Sequence, residues 1–271
     1  MSSSAEGGTG IRVRTERGVR TIHFGRPERR NAMDGVMFAA YYAALADADA
    51  DPEVRAIVVT GDGDWFCSGA DASTLNLLAA GDSADVVEAL GFPPHHPMTL
   101  RKPLIAALNG GAAGLGLAQA LFADVRFMAD GARLSTAFSK LGLIGEYGTA
   151  WLLPRLIGVA NAMDLLLSAR KVDAAEAREL GVVQFVRPKE EVLAAAQDYA
   201  RELAQNCSPR SMAVIKRQVW RGVDTGGPEA VAESVRLMVE SLSATDFQTA
   251  VQTLGQRTPV EFPPLPPEGE P

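Results

Sequence analysis

The sequence predicts an α/β fold followed by a helical C-terminal part. Three observations carry that expectation. Short apolar runs rich in β-branched residues, such as Ala56-Ile-Val-Val-Thr60, alternate with helical patterns. Two successive strand–helix passes imply parallel pairing with right-handed crossovers. Near residue 190 the composition shifts from mixed α/β to all-α. The 271 residues are 47% hydrophobic and 22% charged, which suits one large domain, or one domain with an appendage, around a sizeable core.

Taken in order, residues 1–10 are small and polar and are expected to form a disordered tail. Residues 11–14 and 19–24 flank Glu16-Arg17-Gly18 and read as a hairpin. Arg26-Pro27 ends the second strand, and a helix follows with Asn31 or Asp34 as its cap. Met33, Val36, Met37, Ala40, Tyr41, Ala44 and Leu45 recur at helical spacing and are expected to face the core. Residues 56–60 form a buried strand, because the run is continuously apolar. Gly61-Asp62-Gly63-Asp64 is a turn. Residues 73–100 mix a weak helix with polar and proline-rich pieces, a pattern common in binding loops.

Strands are expected at 104–108 and 125–128, with a buried helix at 115–122 between them. Helices follow at 160–168 and 173–180, the latter ending at Gly181, and then a short strand at 182–186. The helices at 192–205, 210–221, 228–243 and 246–254 make up the C-terminal part. Residues 258–271 are rich in proline and read as an extended tail.

Composition excludes several classes of function. A net charge of −7 argues against nucleic acid, which needs a basic face. No apolar run reaches the roughly 18 residues needed to span a bilayer, and residues 1–10 lack the apolar centre of a secretory signal. Cys67 and Cys207 form neither a disulfide framework nor a metal spacing, so a reducing cytoplasm is the default. His95-His96 lies among prolines and reads as a solvated loop rather than a metal site.

Two stretches carry chemistry. Asn109-Gly-Gly-Ala-Ala-Gly-Leu-Gly116 follows a strand and opens a helix. It matches neither the dinucleotide fingerprint nor the phosphate loop. Its small residues let a ligand approach the backbone, and the amides around Leu115 would be unpaired at a helix start. That geometry stabilises negative charge developing on an oxygen. Close helix–strand packing explains the same glycines equally well. Ser68-Gly69-Ala70-Asp71 resembles this turn and could supply a second amide, although Asp71 is most simply a helix cap. Glu146 is the other feature. It lies between Leu141, Leu143 and Ile144 on one side and Trp151 to Leu153 on the other. A buried carboxylate there would have a raised pKa suited to proton transfer, whereas a surface loop acid is the bland reading.

These pieces together resemble the crotonase, or enoyl-CoA hydratase/isomerase, family. The likeness rests on Arg26-Pro-Glu-Arg-Arg-Asn-Ala32, on Phe66-Cys-Ser-Gly-Ala-Asp71, on Lys102-Pro103 through Asp124, and on Phe138 through Leu153-Pro-Arg-Leu-Ile-Gly158. Asp246-Phe247 through Gln256-Arg257 extends it, so that it covers roughly residues 11–262. The resemblance implies a crotonase spiral of ββα turns over residues 11–190. It also implies a helical trimerisation region at 191–257 and a homotrimer or a dimer of trimers. No cofactor is implied beyond the coenzyme A carried by the substrate. By position, Ala70 and Leu115 match the oxyanion-hole amides. Arg29, Ala32, Ser68, Asp71, Ala72, Ser73, Gly114, Phe138 and Trp151 are the further substrate-contacting candidates.

The departures from the family are informative. The two glutamates of the well-studied hydratases fall at Ala118 and Phe138. Glu146 instead matches the acid of 3,2-enoyl-CoA isomerases and of a ring-isomerising relative. The expected activity is therefore proton transfer by one glutamate on a thioester enolate, as isomerisation or as hydration, in fatty-acid or aromatic-acid degradation. The alternatives are a non-catalytic acyl-CoA-binding protein and a thioester hydrolase; the hydrolases carry an acid where this chain has Phe138.

Overall fold

In a computed structural model of the protein, residues 8–80, 92–254 and 260–266 are described. Most of the expected N-terminal tail, residues 81–91 of the proline-rich stretch, Gln256-Arg257 and much of the C-terminal tail lie outside the described residues.

The chain enters through an antiparallel hairpin, β1 (Ile11–Glu16) and β2 (Val19–Phe24), with Ile11 opposite Phe24. Arg17 and Gly18 both have positive φ (51° and 76°), the primed turn that matches strand twist. From β2 the sheet grows in parallel through β3 (Ala56–Gly61), β5 (Leu104–Leu108), β7 (Val125–Ala129) and β10 (Phe185–Arg187). Every residue of β3 and β5 is buried, because helices and loops cover both faces.

A second sheet, of order β4-β6-β8-β9, was not legible in the sequence. Its strands are β4 (Trp65–Cys67), β6 (Gly111–Ala113), β8 (Arg133–Ser135) and β9 (Val172–Asp173). Strands of two or three residues are too short to show a period of two. Each of β3, β5 and β7 turns directly into a strand of this sheet. The repeating unit is therefore strand, strand, then helix, the ββα spiral that the resemblance implied.

Helix α1 (Gly35–Ala50) is capped by Asp34, whose carboxylate accepts the Met37 amide at 2.9 Å. One expected core position fails: Val36 is 62% exposed. Phe38 and Tyr42, not expected in the core, are buried instead. The reason is that α1 is covered on two sides. Tyr41 packs edge-on against Phe24 of the sheet, at 5.0 Å between ring centroids. Phe38 and Tyr42 face Tyr147, Phe92 and His96. The expected solvated loop holds at His95, which is exposed, and fails at His96, whose ring lies 5.1 Å from Phe92 and 5.9 Å from Tyr42.

The remaining helices are α2 (Ala72–Ala79), α3 (His96–Thr99), α4 (Leu115–Leu121), α5 (Thr149–Ile157), α6 (Val159–Ser168), α7 (Ala174–Glu179) and α8 (Val192–Asn206). The strand expected at 182–186 forms at 185–187, while Val182 and Val183 are buried in the turn before it. Strand signals end near residue 190, but α8 still belongs to the core. Ala196, Ala200 and Ala204 recur every four residues and give it a small-residue face against the sheet. Beyond it come α9 (Pro209–Gly222), α10 (Gly227–Leu242) and α11 (Thr245–Gln252). Lys216 anchors α9 to the core, donating to Asp124 at 2.7 Å and to the Lys102 carbonyl at 3.1 Å. Residues 260–266 carry no regular secondary structure, and Arg55 and Arg101 donate to the carbonyls of Phe262 and Pro266. Among the described residues, no helix is long and apolar enough to cross a membrane.

Candidate active site

The first amide is fixed by a strap. Asn31, fully buried at φ 56°, donates to the carbonyls of Asp62 (2.9 Å) and Trp65 (2.6 Å) and accepts the Arg26 amide (2.9 Å). The next residues are stitched onto the turn that follows β4. Ser68 N–H donates to Arg30 O, Met33 N–H to Gly69 O and Asp71 N–H to Met33 O, at 3.0, 2.8 and 2.7 Å. In extended chain, successive amides point to opposite sides. Pairing Gly69 and Asp71 with Met33 therefore turns the Ala70 N–H away from the strap.

The Asp71 carboxylate locks the turn. One oxygen accepts the Ser73 amide (3.0 Å) and hydroxyl (2.9 Å); the other accepts Arg26 (3.0 Å) and Arg29 (3.1 Å). The Ser73 hydrogen bonds, followed by the Arg29 hydrogen bond and the Arg26 charge, hold its carboxyl down at about 2 against the effect of burial. Asp71 thus caps α2, as expected, and also binds two arginines.

The second amide begins α4. Gly114 takes φ 50° and ψ −122°, and Leu115 is the first residue of the helix. A Cβ at Gly69, where φ is +111°, would lie 3.0 Å from Ala113 O and 3.7 Å from Leu115 N. The two turns therefore touch, and only glycine lets them. The packing reading of the glycine-rich stretch holds at Gly116. A Cβ on Gly116 would fall 2.4 Å from Cys67 O, so that glycine serves close packing. The amides of Ala70 and Leu115 have no acceptor among the described residues.

Ala118 and Phe138, the positions of the two family acids, are 0% and 4% exposed. The Phe138 ring lies 3.9 Å from where a Cβ on Gly114 would stand. An apolar ring thus flanks the amide turn. Glu146 lies on the loop between the 3-10 turn Phe138–Leu141 and α5, where Tyr147 has φ 49° and Gly148 φ 72°. Its carbonyl accepts the Thr149 amide (3.0 Å) and hydroxyl (2.8 Å). Its carboxylate makes no hydrogen bond or ion pair among the described residues, and burial raises its pKa above the ordinary glutamate value. A half-buried, unpaired acid differs from the plain surface acid of the bland reading. Burial, and then the Glu146 charge, push the Tyr147 phenol up, so the two groups are neighbours electrostatically as well as in sequence.

The structure therefore brings together Arg29, Ala32, Ser68, Ala70, Asp71, Ala72, Ser73, Gly114, Leu115 and Phe138. Glu146 adjoins Tyr147, whose ring lies 5.8 Å from Phe38, and Phe38 stacks on Tyr42 at 4.5 Å. Trp151 is directed to the C-terminal helices, stacked on Trp220 at 6.2 Å with Arg155 4.0 Å from its centroid. Sequence reasoning passed over Tyr42, Phe92 and Gln119, and read His96 as part of a solvated loop. The adjacent pair Tyr41-Tyr42 was the available signal, since neighbouring aromatic residues cannot share one helix face. A separate cleft of ≈ 500 Å³, bounded by Trp65, Gly111, Arg133, Lys171 and Lys189, includes none of Ala70, Leu115 and Glu146.

Two exposed amides and one unpaired acid can stabilise an enolate oxygen and move a proton. The enoyl-CoA hydratase/isomerase family model matches residues 14–262. The 1,2-epoxyphenylacetyl-CoA isomerase of Escherichia coli is 39% identical over 193 residues, covering 70% of this chain and 74% of that protein. A probable enoyl-CoA hydratase of Rhodobacter capsulatus is 34% identical over 259 residues, covering 93% and 97%. The crystal structure of a probable enoyl-CoA hydratase/isomerase from Mycobacterium abscessus superposes with a TM-score of 0.86 at 29% identity, covering 94% of this chain and 99% of that one. With its ββα spiral, its paired amide turns and this match over nearly all its length, the chain belongs to the enoyl-CoA hydratase/isomerase family of acyl-CoA enzymes.

Proposed function

We propose that the protein isomerises enoyl-CoA thioesters, moving a proton between C2 and C4 with Glu146 as the single acid/base. The thioester oxygen accepts hydrogen bonds from the Ala70 and Leu115 amides, so that charge leaving C2 gathers where two fixed donors await it. Glu146 removes the C2 proton of a 3-enoyl-CoA, the dienolate forms, and the same carboxyl returns the proton at C4. What supports this reading is the exchange of acids: Ala118 and Phe138 are buried and apolar, and Glu146 is half-buried with no side-chain partner among the described residues. Adding water calls for activating the water and delivering a proton to C2, work that two carboxylates share. Returning one proton needs one carboxylate in a dry site. Arg29, Ala32, Ser68, Ala72 and Ser73 are assigned to the coenzyme A portion, beside the Asp71 lock.

Hydration of 2-enoyl-CoA is the second reading, favoured by the similarity to the Rhodobacter capsulatus protein named as a probable hydratase. A paired assay on one preparation separates the two. Isomerisation of 3-enoyl-CoA should exceed hydration of 2-enoyl-CoA, and Glu146→Ala should abolish it. Full turnover of both substrates by Glu146→Ala would sink the assignment.

The working form is expected to be a trimer or a dimer of trimers. Support comes from apolar side chains left outward on α9 and α10, among them Ile215, Val219, Val231, Val235, Val239 and Leu242, all more than half exposed. Sedimentation velocity tests this, and a monomer at micromolar concentration would refute it.

A further inference from the structure

The loop that carries Glu146 contains a residue its backbone does not suit. Residues 146–149 form a tight turn, in which the Thr149 amide donates to the Glu146 carbonyl at 3.0 Å. Both central residues have positive φ, 49° at Tyr147 and 72° at Gly148, the signature of a type I′ turn. Glycine, asparagine and aspartate take these positions at little cost; a bulky aromatic side chain does not. Gly148 therefore fits its place and Tyr147 does not. A side chain held in such a conformation is held by something outside the turn.

That something is the contact its ring makes. Leu141, Leu143, Ile144 and Tyr147 are the large apolar or aromatic side chains of the loop. Leu141 and Ile144 are 61% and 79% exposed. Of the four, Tyr147 alone packs against the main hydrophobic core. Its ring lies 5.8 Å from Phe38, which stacks on Tyr42 at 4.5 Å. The Tyr147 hydroxyl makes no hydrogen bond among the described residues, so packing is what holds the ring.

Phe38 connects that contact to the amide side of the site. It stands one turn into α1, with its amide donating to the Asp34 carbonyl at 3.0 Å. Just before Asp34, Met33 donates to the Gly69 carbonyl (2.8 Å) and accepts the Asp71 amide (2.7 Å), on either side of Ala70. One ring thus ties the acid loop to the segment that fixes the Ala70 amide. The loop's two ends are tied elsewhere. The Leu143 amide donates to the Phe138 carbonyl at 3.0 Å, and the Gly148 carbonyl accepts the Trp151 and Leu152 amides of α5 at 2.9 Å.

We infer that Tyr147 is a positioning residue for the acid: its docked ring fixes the backbone of Glu146 relative to the Ala70 amide and leaves the carboxylate free to move. This rests on the reading of Glu146 as acid/base given above. A base must stand within hydrogen-bond reach of the proton it takes, and a misplacement of about 1 Å can cost about 10²-fold in rate. Burial of the ring offsets the cost of the left-handed step at Tyr147.

Steady-state isomerisation of a 3-enoyl-CoA is measured on wild type, Tyr147→Asn, Tyr147→Phe, Phe38→Leu and Glu146→Gln, with chemical denaturation to verify that each is folded. Asparagine suits the turn and removes the ring, so Tyr147→Asn should lose about 10- to 100-fold in kcat. Its KM should stay unchanged, because the two amide turns are untouched. Tyr147→Phe keeps the ring without its hydroxyl and should retain full kcat. Phe38→Leu removes the partner ring and should lower kcat in the same way, which covers the case in which Tyr147→Asn does not fold. Full kcat in folded Tyr147→Asn or in Phe38→Leu would overturn the inference. A loss confined to KM would do so as well, and so would an equal loss in Tyr147→Phe, since the hydroxyl would then act in the chemistry. Glu146→Gln separates this from the reading beneath it: full turnover there would remove Glu146 as the base, whatever the Tyr147 variants do.

Discussion

The two halves of the candidate site are held in opposite ways. On the amide side nearly every polar group is committed: Asn31 to three backbone atoms, Asp71 to four donors, and Met33 to both neighbours of Ala70. On the acid side the Glu146 carboxylate has no partner among the described residues, Tyr147 and Gly148 carry positive φ, and Ile144 two residues earlier is 79% exposed. The difference suits the two roles proposed for them. Donors that stabilise a developing charge work best when nothing must reorganise. A carboxyl that takes a proton at one carbon and returns it at another must reach both, and a locked side chain could not.

The largest expected effect comes from the acid side. Glu146→Gln keeps the shape and removes the base, and isomerisation should fall by about 10²- to 10⁴-fold, read as kcat on 3-enoyl-CoA. Retained activity would show that the loop is not where protons move. Next comes the amide side. Leu115→Pro deletes one N–H at a first helical position, where proline is tolerated, and kcat should fall about 10²-fold or somewhat more. A loss confined to KM would mean that the amide binds ground state and transition state alike.

Asp71→Asn tests whether the strap is the stiff half. Leaving two arginines short of a charge should lower stability by about 2 to 4 kcal/mol in chemical denaturation at neutral pH. Since the folded state depresses this carboxyl, its stabilisation is present above the ordinary aspartate value of 3.8 and is lost as pH falls toward about 2. The wild type and the variant should therefore converge in acid, and a constant gap would point to packing instead.

The smallest effect is a shift in pH profile. Burial raises the Glu146 pKa, and only the carboxylate accepts a proton. The acid limb of kcat/KM should therefore lie above the ordinary glutamate range, falling as pH drops through it, and should be absent from the residual rate of Glu146→Gln. A limb at the ordinary value would place the acid in open water.

Much of the spiral was legible because its large-sheet strands carry local patterns: β3 and β5 as continuous apolar runs, the hairpin through Arg17-Gly18, α1 through its Asp34 cap. The small sheet was not legible, because Gly111-Ala112-Ala113 has no alternation to read. Val36 was misplaced for a different reason. A helix covered on two sides has no single apolar stripe, so its periodicity does not say which residues face water.

The sequence by itself determined the order of strands and helices, the family pattern, and the replacement of two acids by Ala118 and Phe138 with Glu146 left over. These are properties of residue type and spacing along one chain. Only the tertiary structure decided which amides are free, that Glu146 is half-buried and unpaired, and that Tyr42, His96 and Gln119 meet. Each of those depends on partners tens of residues away. The Ala70 amide is open because Met33 takes its neighbours, and the Tyr42 hydroxyl meets Pro94 and Gln119 from 52 and 77 residues away.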